Sequence, residues 1–95
     1  MVIGKKIFLT AVESKNIEQL RQWRNKPSLR KYFREYREIS SDMQKNWFTN
    51  KVLGDPEQVN FEIHDGESDK LIGHCGLYYI EWVHRHAEFG IYIGD

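Results

Sequence analysis

The hydrophobic positions of this sequence follow a helical period in its first half and a strand period in its second half. Residues Lys6–Val12 are rich in β-branched and aromatic side chains, and they predict a first strand. Over Ser14–Asn25 apolar residues recur at every third position, close to one face of a helix. Asn16 and Gln19 have the spacing of a capping box, which makes Asn16 the predicted N-cap of that helix.

Two further helices are predicted before residue 55. Pro27 fits the first position of a short helix that runs to about Phe33. Ser41 and Gln44 repeat the capping spacing, and they predict the start of a third helix with an apolar stripe of its own. Gly54 is a typical residue at a helix end, and it marks the predicted stop.

Three strands are predicted after these helices. The segments are Asn60–His64, Leu71–Ile80 and Ala87–Ile93, and the second is interrupted by glycines that indicate a bulge or a close backbone approach. Short turns join the three segments, so the sheet is expected to be antiparallel. In the last segment the alternation predicts one face with Ala87, Phe89, Ile91 and Ile93, and an opposite face with Glu88, Gly90 and Tyr92.

The predicted fold class is α+β, with one domain over residues 1–95 in the order strand, two or three helices, three antiparallel strands. This order leaves the last strand, Ala87–Ile93, as an exposed edge that is able to pair with another chain. We therefore expect that these residues are one piece of a larger unit, and that a homodimer through this edge is one outcome.

Composition and charge narrow the classes of function. Hydrophobic residues make up 40% and charged residues 29% of the chain, and the formal net charge is +0. Global charge therefore gives no argument for nucleic acid or for a membrane surface. No apolar run approaches the ~20 residues of a membrane span. Cys75 is the one cysteine of the sequence, so an internal disulfide is excluded and a cytoplasmic location is expected.

Local charge is less even, because Arg21–Arg37 contains seven basic residues and one acid, with aromatic residues among them. Basic residues interleaved with rings can hold phosphates while they stack on bases. This pattern predicts an anion, nucleotide or RNA site in the segment. The alternative interpretation is a set of solvated helix faces with buried rings.

Metal and thiol chemistry are not supported by the spacing. His74 and Cys75 are neighbours on a strand and point to opposite faces, and His84 and His86 lie in a turn without a third ligand. No metal site is therefore predicted, and Cys75 has no positioned base beside it in the sequence.

Glu88 is the strongest single candidate for a catalytic residue. It lies on an otherwise apolar strand, on the face that it shares with Gly90 and Tyr92. A partly buried carboxylate holds a proton more readily, which suits a general base. The alternative interpretation is an exposed strand glutamate that faces water. No glycine-rich phosphate loop is present in the sequence.

Four segments, RQWRN, ISSDMQKNWF, LIGHCGL and AEFGIYI, resemble the GNAT N-acetyltransferases in their order and spacing. The similar branch includes ribosomal-protein N-terminal acetylases, polyamine acetylases and nucleotide-amino-sugar acetylases. The resemblance implies the N-terminal part of that fold, with acetyl-CoA as co-substrate and a primary amine as acceptor. The family's glycine-containing loop for the coenzyme A pyrophosphate does not occur in these residues, so we expect the chain alone to be inactive.

The resemblance also implies roles for single residues. Glu88 matches the position of the base, and the backbone near Ile91, Tyr92 and Ile93 matches the segment that pairs with the pantetheine arm. The residues that match or neighbour the acceptor pocket are Trp23, Arg24, Asn25, Arg30, Tyr32 and Tyr36. The tyrosine that protonates the leaving thiolate in the family is not among these residues.

Two classes of function stay open at this point. The first is acetyl transfer to a nucleotide amino sugar, a peptide N-terminus or a polyamine, and clustered arginines favour an acceptor that carries phosphate. The second is a non-catalytic module that binds an anion, a nucleotide or RNA through Arg21–Arg37, or that dimerises through Ala87–Ile93.

Overall fold

The computed structural model describes residues 2–3, 6–31, 33 and 37–94. Five strands of this part form one sheet in the order β1-β2-β3-β4-β5, and every neighbouring pair is antiparallel. The strands are β1 (Val2–Ile3), β2 (Ile7–Ala11), β3 (Val59–Asp65), β4 (Leu71–Glu81) and β5 (His86–Ile93). The helices are α1 (Ile17–Arg24), α2 (Pro27–Arg30) and α3 (Ser41–Trp47); a 3₁₀ turn, Ser14–Asn16, precedes α1, and a π-helical turn, Phe48–Val52, follows α3.

This order confirms the α+β prediction and its antiparallel strands. The sequence pattern missed β1, because two residues are too few to show a period of two. β5 pairs with β4 alone within the described residues, so it is an edge strand there, as predicted. No helix in the described ranges is long and apolar enough to cross a membrane.

Asn16 occupies the predicted N-cap position of α1, and α3 begins at Ser41 as predicted, but neither helix has the predicted capping box. The Asn16 side chain makes no cap hydrogen bond, because its Nδ2 donates to both carboxylate oxygens of Glu62 at 2.9 and 3.0 Å. The cap of α3 is Ser40, whose Oγ accepts from the Met43 N–H at 3.1 Å. Gln44 is buried and donates to the Ile17 carbonyl at 2.9 Å, so it joins two helices instead of closing a capping box.

The helices cover one face of the sheet, called the helical face below. Val12, Leu20 and Trp23 form the buried centre of the core between α1 and the sheet, and Trp47, Leu71 and Tyr92 pack against it. α2 is shorter than predicted and ends at Arg30; Phe33 follows it in a turn, with its N–H donating to the Arg30 carbonyl.

The alternation predicted for the last strand is confirmed, but its apolar side is the exposed side. Tyr92 lies on the helical face against the ring of Phe33. On the other face Phe89, Ile91 and Ile93 are 65%, 57% and 48% exposed. That face of β5 therefore has no cover within the described residues.

β4 and β5 approach so closely at Gly73 that a side chain does not fit. A Cβ atom at this position would lie 2.2 Å from the Tyr92 carbonyl oxygen, which is backbone and cannot swing away. We expect Gly73→Ala to lower the free energy of unfolding by about 1–3 kcal/mol through overpacking. Urea unfolding measures this loss. Gly54→Ala, at an exposed position with its nearest contact at 3.1 Å, is the control, and equal midpoints for the two variants would contradict the account.

Candidate functional site

A cavity of about 820 Å³ opens on the helical face, where α1 and α3 meet β4 and β5. Its lining includes residues from both strands and from the segment between α3 and β3. From the strands these are His74, Tyr78, Tyr79, Glu88, Phe89, Gly90, Ile91 and Tyr92, and from the rest of the chain Arg24, Phe33, Arg37, Trp47, Lys51, Asp55, Glu57 and Gln58.

His74 is the most enclosed polar group of this lining. Its Nε2 lies 3.0 Å from Asn60 Oδ1, and its ring stacks on Tyr92 with centroids 5.5 Å apart. The Trp47 and His74 rings meet edge to face, with centroids 5.7 Å apart. Burial, with a smaller contribution from the Arg24 guanidinium, lowers the pKa of His74 from 6.5 to about 4. The imidazole is therefore neutral at pH 7.

This depressed pKa makes a prediction about stability. The unfolded chain takes up a proton at His74 below pH 6.5 and the folded chain does so only near pH 4, so stability is lost as the pH falls through that window. The loss at His74 is expected to reach about 3 kcal/mol near pH 4. Thermal unfolding of the wild type and His74→Phe at pH 7 and pH 4.5 measures it, because the contributions of the carboxylates cancel in the difference. Parallel pH profiles would contradict the prediction.

Two tyrosines complete the floor of the cavity. Burial raises the pKa of Tyr78 to about 12 and also raises the pKa of Tyr92, so both hydroxyls stay protonated at neutral pH and can donate hydrogen bonds. The Tyr78 side chain lies across Gly76 and Gly90. A Cβ atom at Gly76 would lie 2.7 Å from the Tyr78 hydroxyl oxygen, and a Cβ atom at Gly90 would lie 2.8 Å from a carbon of its ring. Gly76, one of the glycines that interrupt β4, therefore marks a close approach of the kind that the sequence predicts.

The lining carries charges of both signs. Three cations, Arg24, Arg37 and Lys51, and three carboxylates, Asp55, Glu57 and Glu88, line it in the described part of the chain. The Arg24 guanidinium lies over the Phe33 ring, 5.1 Å from its centroid. Basic residues of Arg21–Arg37, the predicted anion site, therefore share this cavity with carboxylates.

The basic residues of Arg21–Arg37 contact different parts of the molecule. Arg21 pairs with Glu18 and donates to the Ile39 carbonyl at 3.0 Å, and Lys26 Nζ donates to the Gly94 carbonyl at 2.7 Å. Arg30 lines a second cavity of about 400 Å³ together with Pro27, Lys31 and Phe33. Arg24 and Arg30, expected to share one anion site, thus line different cavities.

Apart from Arg30, the predicted site residues separate into three groups. Glu88, Arg24, Ile91 and Tyr92 line the main cavity. Trp23, Asn25 and Ile93 do not: Trp23 is buried in the core, Asn25 exchanges two hydrogen bonds with the Ile39 backbone, and Ile93 faces away. Tyr32 and Tyr36 lie outside the described residues.

Glu88 lies in the cavity lining but is exposed. The partly buried environment expected for its carboxylate is therefore not found.

The backbone of β5 offers donors and acceptors beside this cavity. Gly94 donates its N–H to the Ile72 carbonyl across the β4–β5 pair at 2.8 Å. Hydrogen-bonded pairs alternate with non-hydrogen-bonded pairs in an antiparallel ladder. It follows that the backbone groups of Phe89, Ile91 and Ile93 point away from β4, towards the open edge, whereas those of Tyr92 point towards β4.

Sequence reasoning considered His74 only as a metal ligand and so missed its place in the cavity. The available signal was a polar ring within a glycine-rich apolar strand. The polar residues that support His74, namely Asp55, Gln58 and Asn60, come from a loop and a different strand. No sequence period brings such residues together.

Comparison with known proteins assigns the family. Residues 6–95 match the model of the acetyltransferase (GNAT) domain, and the chain belongs to this family. No curated protein matches the sequence significantly.

Solved structures agree with this assignment. The chain is similar to a spermidine N-acetyltransferase from Vibrio cholerae, solved with CoA and spermine, at a TM-score of 0.81 and 28% identity, over 95% of this chain and 52% of that one. A domain from Methanocaldococcus jannaschii matches at a TM-score of 0.75 and 19% identity, over 95% of this chain and 56% of that one. The chain therefore spans about half the length of the structures that it matches.

Proposed function

We propose that these residues form the acceptor half of an N-acetyltransferase domain, which moves an acetyl group from acetyl-CoA to a primary amine held in the 820 Å³ cavity. The observation that carries the proposal is that this cavity lies against β4 and β5 of a chain that belongs to the GNAT family. A carboxylate, Glu88, and the outward backbone groups of β5 meet at its rim.

The chemistry of amide formation assigns roles to these groups. A primary alkyl ammonium has a pKa near ~10.4, so a base must remove a proton before the nitrogen can attack the thioester. Glu88 takes that proton through water, since its carboxylate is exposed at the rim. Backbone N–H and C=O groups of Ile91 and Ile93 fit an extended amide-containing arm along the β5 edge, and preorganised N–H groups there support the developing oxyanion.

A polyamine is the acceptor class that the cavity favours. Its three carboxylates suit a cation with several amino groups, and the Vibrio cholerae structure at 28% identity is that of a spermidine N-acetyltransferase. The initial preference for a phosphorylated acceptor loses support, because Arg30 lines a separate cavity. Arg24, Arg37 and Lys51 keep an amino-sugar nucleotide as the second candidate.

We also propose that the 95 residues alone give no useful turnover. They contain no glycine-rich phosphate loop, and the matched structures are about twice as long. Positioning of the reacting groups is worth roughly 7–11 kcal/mol of a barrier, and the sequence contains no glycine-rich loop to position the coenzyme A pyrophosphate. The exposed β5 edge favours self-association, and one similar Vibrio cholerae structure, at 24% identity, is described as dodecameric.

Release of free thiol from acetyl-CoA tests the proposal. The assay compares residues 1–95 alone with a hybrid in which they replace the equivalent half of the Vibrio cholerae enzyme, over a panel of spermidine, an amino-sugar nucleotide and a peptide with a free N-terminus. We expect turnover by the hybrid with spermidine and none by the isolated chain. A folded hybrid that is inactive with all three amines would contradict the proposal.

A further inference from the structure

A chain of side-chain hydrogen bonds runs from the cavity rim to His74. Gln58 Nε2 donates to Asp55 Oδ2 at 3.2 Å, and Asn60 Nδ2 donates to Gln58 Oε1 at 2.9 Å. Asn60 Oδ1 then lies 3.0 Å from His74 Nε2. Asn60 and His74 are 8% and 4% exposed, so the inner half of this chain is shielded from water.

The direction of every bond in this chain follows from its first member. An ionised carboxylate accepts only, so the Gln58 amide must turn its NH₂ group to Asp55 and its oxygen to Asn60. The Asn60 NH₂ group donates to that oxygen, which leaves Asn60 Oδ1 as the acceptor for His74. His74 must then carry its proton on Nε2, and its Nδ1 keeps a lone pair.

This lone pair has no hydrogen-bond partner within residues 6–31, 33 and 37–94. The ring lines the cavity between Trp47 and Tyr92, and both are aromatic groups that favour a nearby cation. Within the described residues Gln44 Oε1 is the one buried side-chain atom without a partner, so Nδ1 of His74 is open to a ligand or water in the cavity. Any partner of this lone pair must be a hydrogen-bond donor.

We infer that Nδ1 of His74 accepts a hydrogen bond from the amino group of the acceptor, and that the Asp55–Gln58–Asn60 chain acts as a positioning relay that fixes the required tautomer. The inference rests on the proposed function, since it assigns a contact within the same cavity. A neutral imidazole serves an amine well, because it accepts an N–H bond without repelling the positive charge of an ammonium group.

The loop that begins the relay is itself held against the sheet. The Ile80 N–H donates to the Glu57 carbonyl at 2.8 Å, and the Glu57 N–H donates to Asp55 Oδ1 at 2.9 Å. β4 therefore fixes both ends of the relay: His74 lies in the strand, and Ile80 anchors the loop that carries Asp55. This arrangement gives the relay a rigid frame, which a specificity element requires.

Side-chain ¹⁵N NMR of the histidine-labelled 95-residue chain tests the inference. We expect His74 to show a protonated Nε2 and an unprotonated Nδ1. Spermidine should shift the Nδ1 signal of His74 but not those of His84 and His86, which lie in the exposed hairpin. Tetramethylammonium carries the same charge type without an N–H donor, and it should leave Nδ1 unchanged.

Two variants distinguish the hydrogen bond at His74 Nδ1 from the effect of Asn60 on the His74 tautomer. His74→Phe keeps an aromatic ring but no acceptor, and it should weaken spermidine binding about tenfold or more. Asn60→Ala does not remove the acceptor, yet it should produce a mixture of His74 tautomers and a smaller loss of affinity. Asn50→Ala, at an exposed position after α3, should change neither.

Three results would overturn the inference. A wild-type His74 protonated on Nδ1 would do so before any ligand is added. Spermidine that shifts the amide signals of Glu88 and Gly90 but not His74 Nδ1 would overturn it while leaving the proposed function intact. An absence of any change on adding spermidine would overturn it together with the choice of a polyamine.

Discussion

Replacing Glu88 with glutamine is expected to lower kcat for acetyl transfer by about 10²–10⁴-fold in the active hybrid, the usual contribution of a general base. Glutamine keeps the size of the side chain at the cavity rim but cannot accept a proton from the ammonium group through water. Since substrate contacts are otherwise unchanged, KM for spermidine should move much less than kcat. Steady-state thiol release at pH 7 measures both constants.

A second carboxylate of the same cavity provides the control. Glu57 lies in the lining, and its part in the fold is carried by its backbone groups. Because its carboxylate is one of those proposed to attract the polyamine, Glu57→Gln should raise KM for spermidine but change kcat little. The loss in Glu88→Gln should also shrink as the pH rises towards the pKa of the amine, where less proton removal is needed. Retention of more than a tenth of kcat by Glu88→Gln would exclude Glu88 as the base.

Glu62 is expected to make the largest contribution of any single polar side chain to folding. Its carboxylate is 1% exposed and accepts from the Glu13 N–H at 2.8 Å and from Asn16 Nδ2, while His64 Nε2 lies 3.0 Å from the same group. Glu62→Ala removes the partner of all three at once. We expect a loss of about 3–5 kcal/mol in the free energy of unfolding, because buried polar groups are left unpaired.

The size of that loss is large beside the 5–15 kcal/mol that stabilises a typical domain. Urea unfolding followed by tryptophan fluorescence measures it, since Trp23 lies in the core. Glu62→Gln keeps one acceptor oxygen and should lose less, and Glu67→Ala, at an exposed turn position, should stay near the wild type. A Glu62→Ala variant as stable as Glu67→Ala would show that this network does not hold α1 to the sheet.

Glu62 also shows what a sequence pattern can and cannot predict here. Alternation correctly placed β3, because strand geometry depends on neighbouring residues alone. It gave no sign that Glu62 is buried, since two of its three partners, Glu13 and Asn16, lie 49 and 46 positions away along the chain. The same long-range contact engages the Asn16 side chain, so Asn16 stands at the N-cap of α1 without making the predicted cap hydrogen bond.

For the candidate site, too, the sequence pointed to some residues of the cavity lining and not to others. Glu88 was a candidate from strand alternation and from the resemblance to GNAT enzymes, and Ile91 and Tyr92 from the resemblance alone. All three lie in the cavity lining, and their roles stay predictions. Trp23 and Asn25 were expected at the acceptor pocket because of the resemblance, yet Trp23 is buried in the core and Asn25 hydrogen-bonds to the Ile39 backbone. His74 could be placed only once β3 and β4 were paired, because its partner Asn60 is on the other strand.

The most direct test of the account is a map of where an amine binds to these 95 residues. Backbone amide NMR during a spermidine titration should show changes at Tyr78, Glu88, Gly90 and Tyr92, which surround the main cavity. Changes confined to the second cavity, at Arg30 and Phe33, would contradict the claim that the face of β4 and β5 receives the acceptor amine.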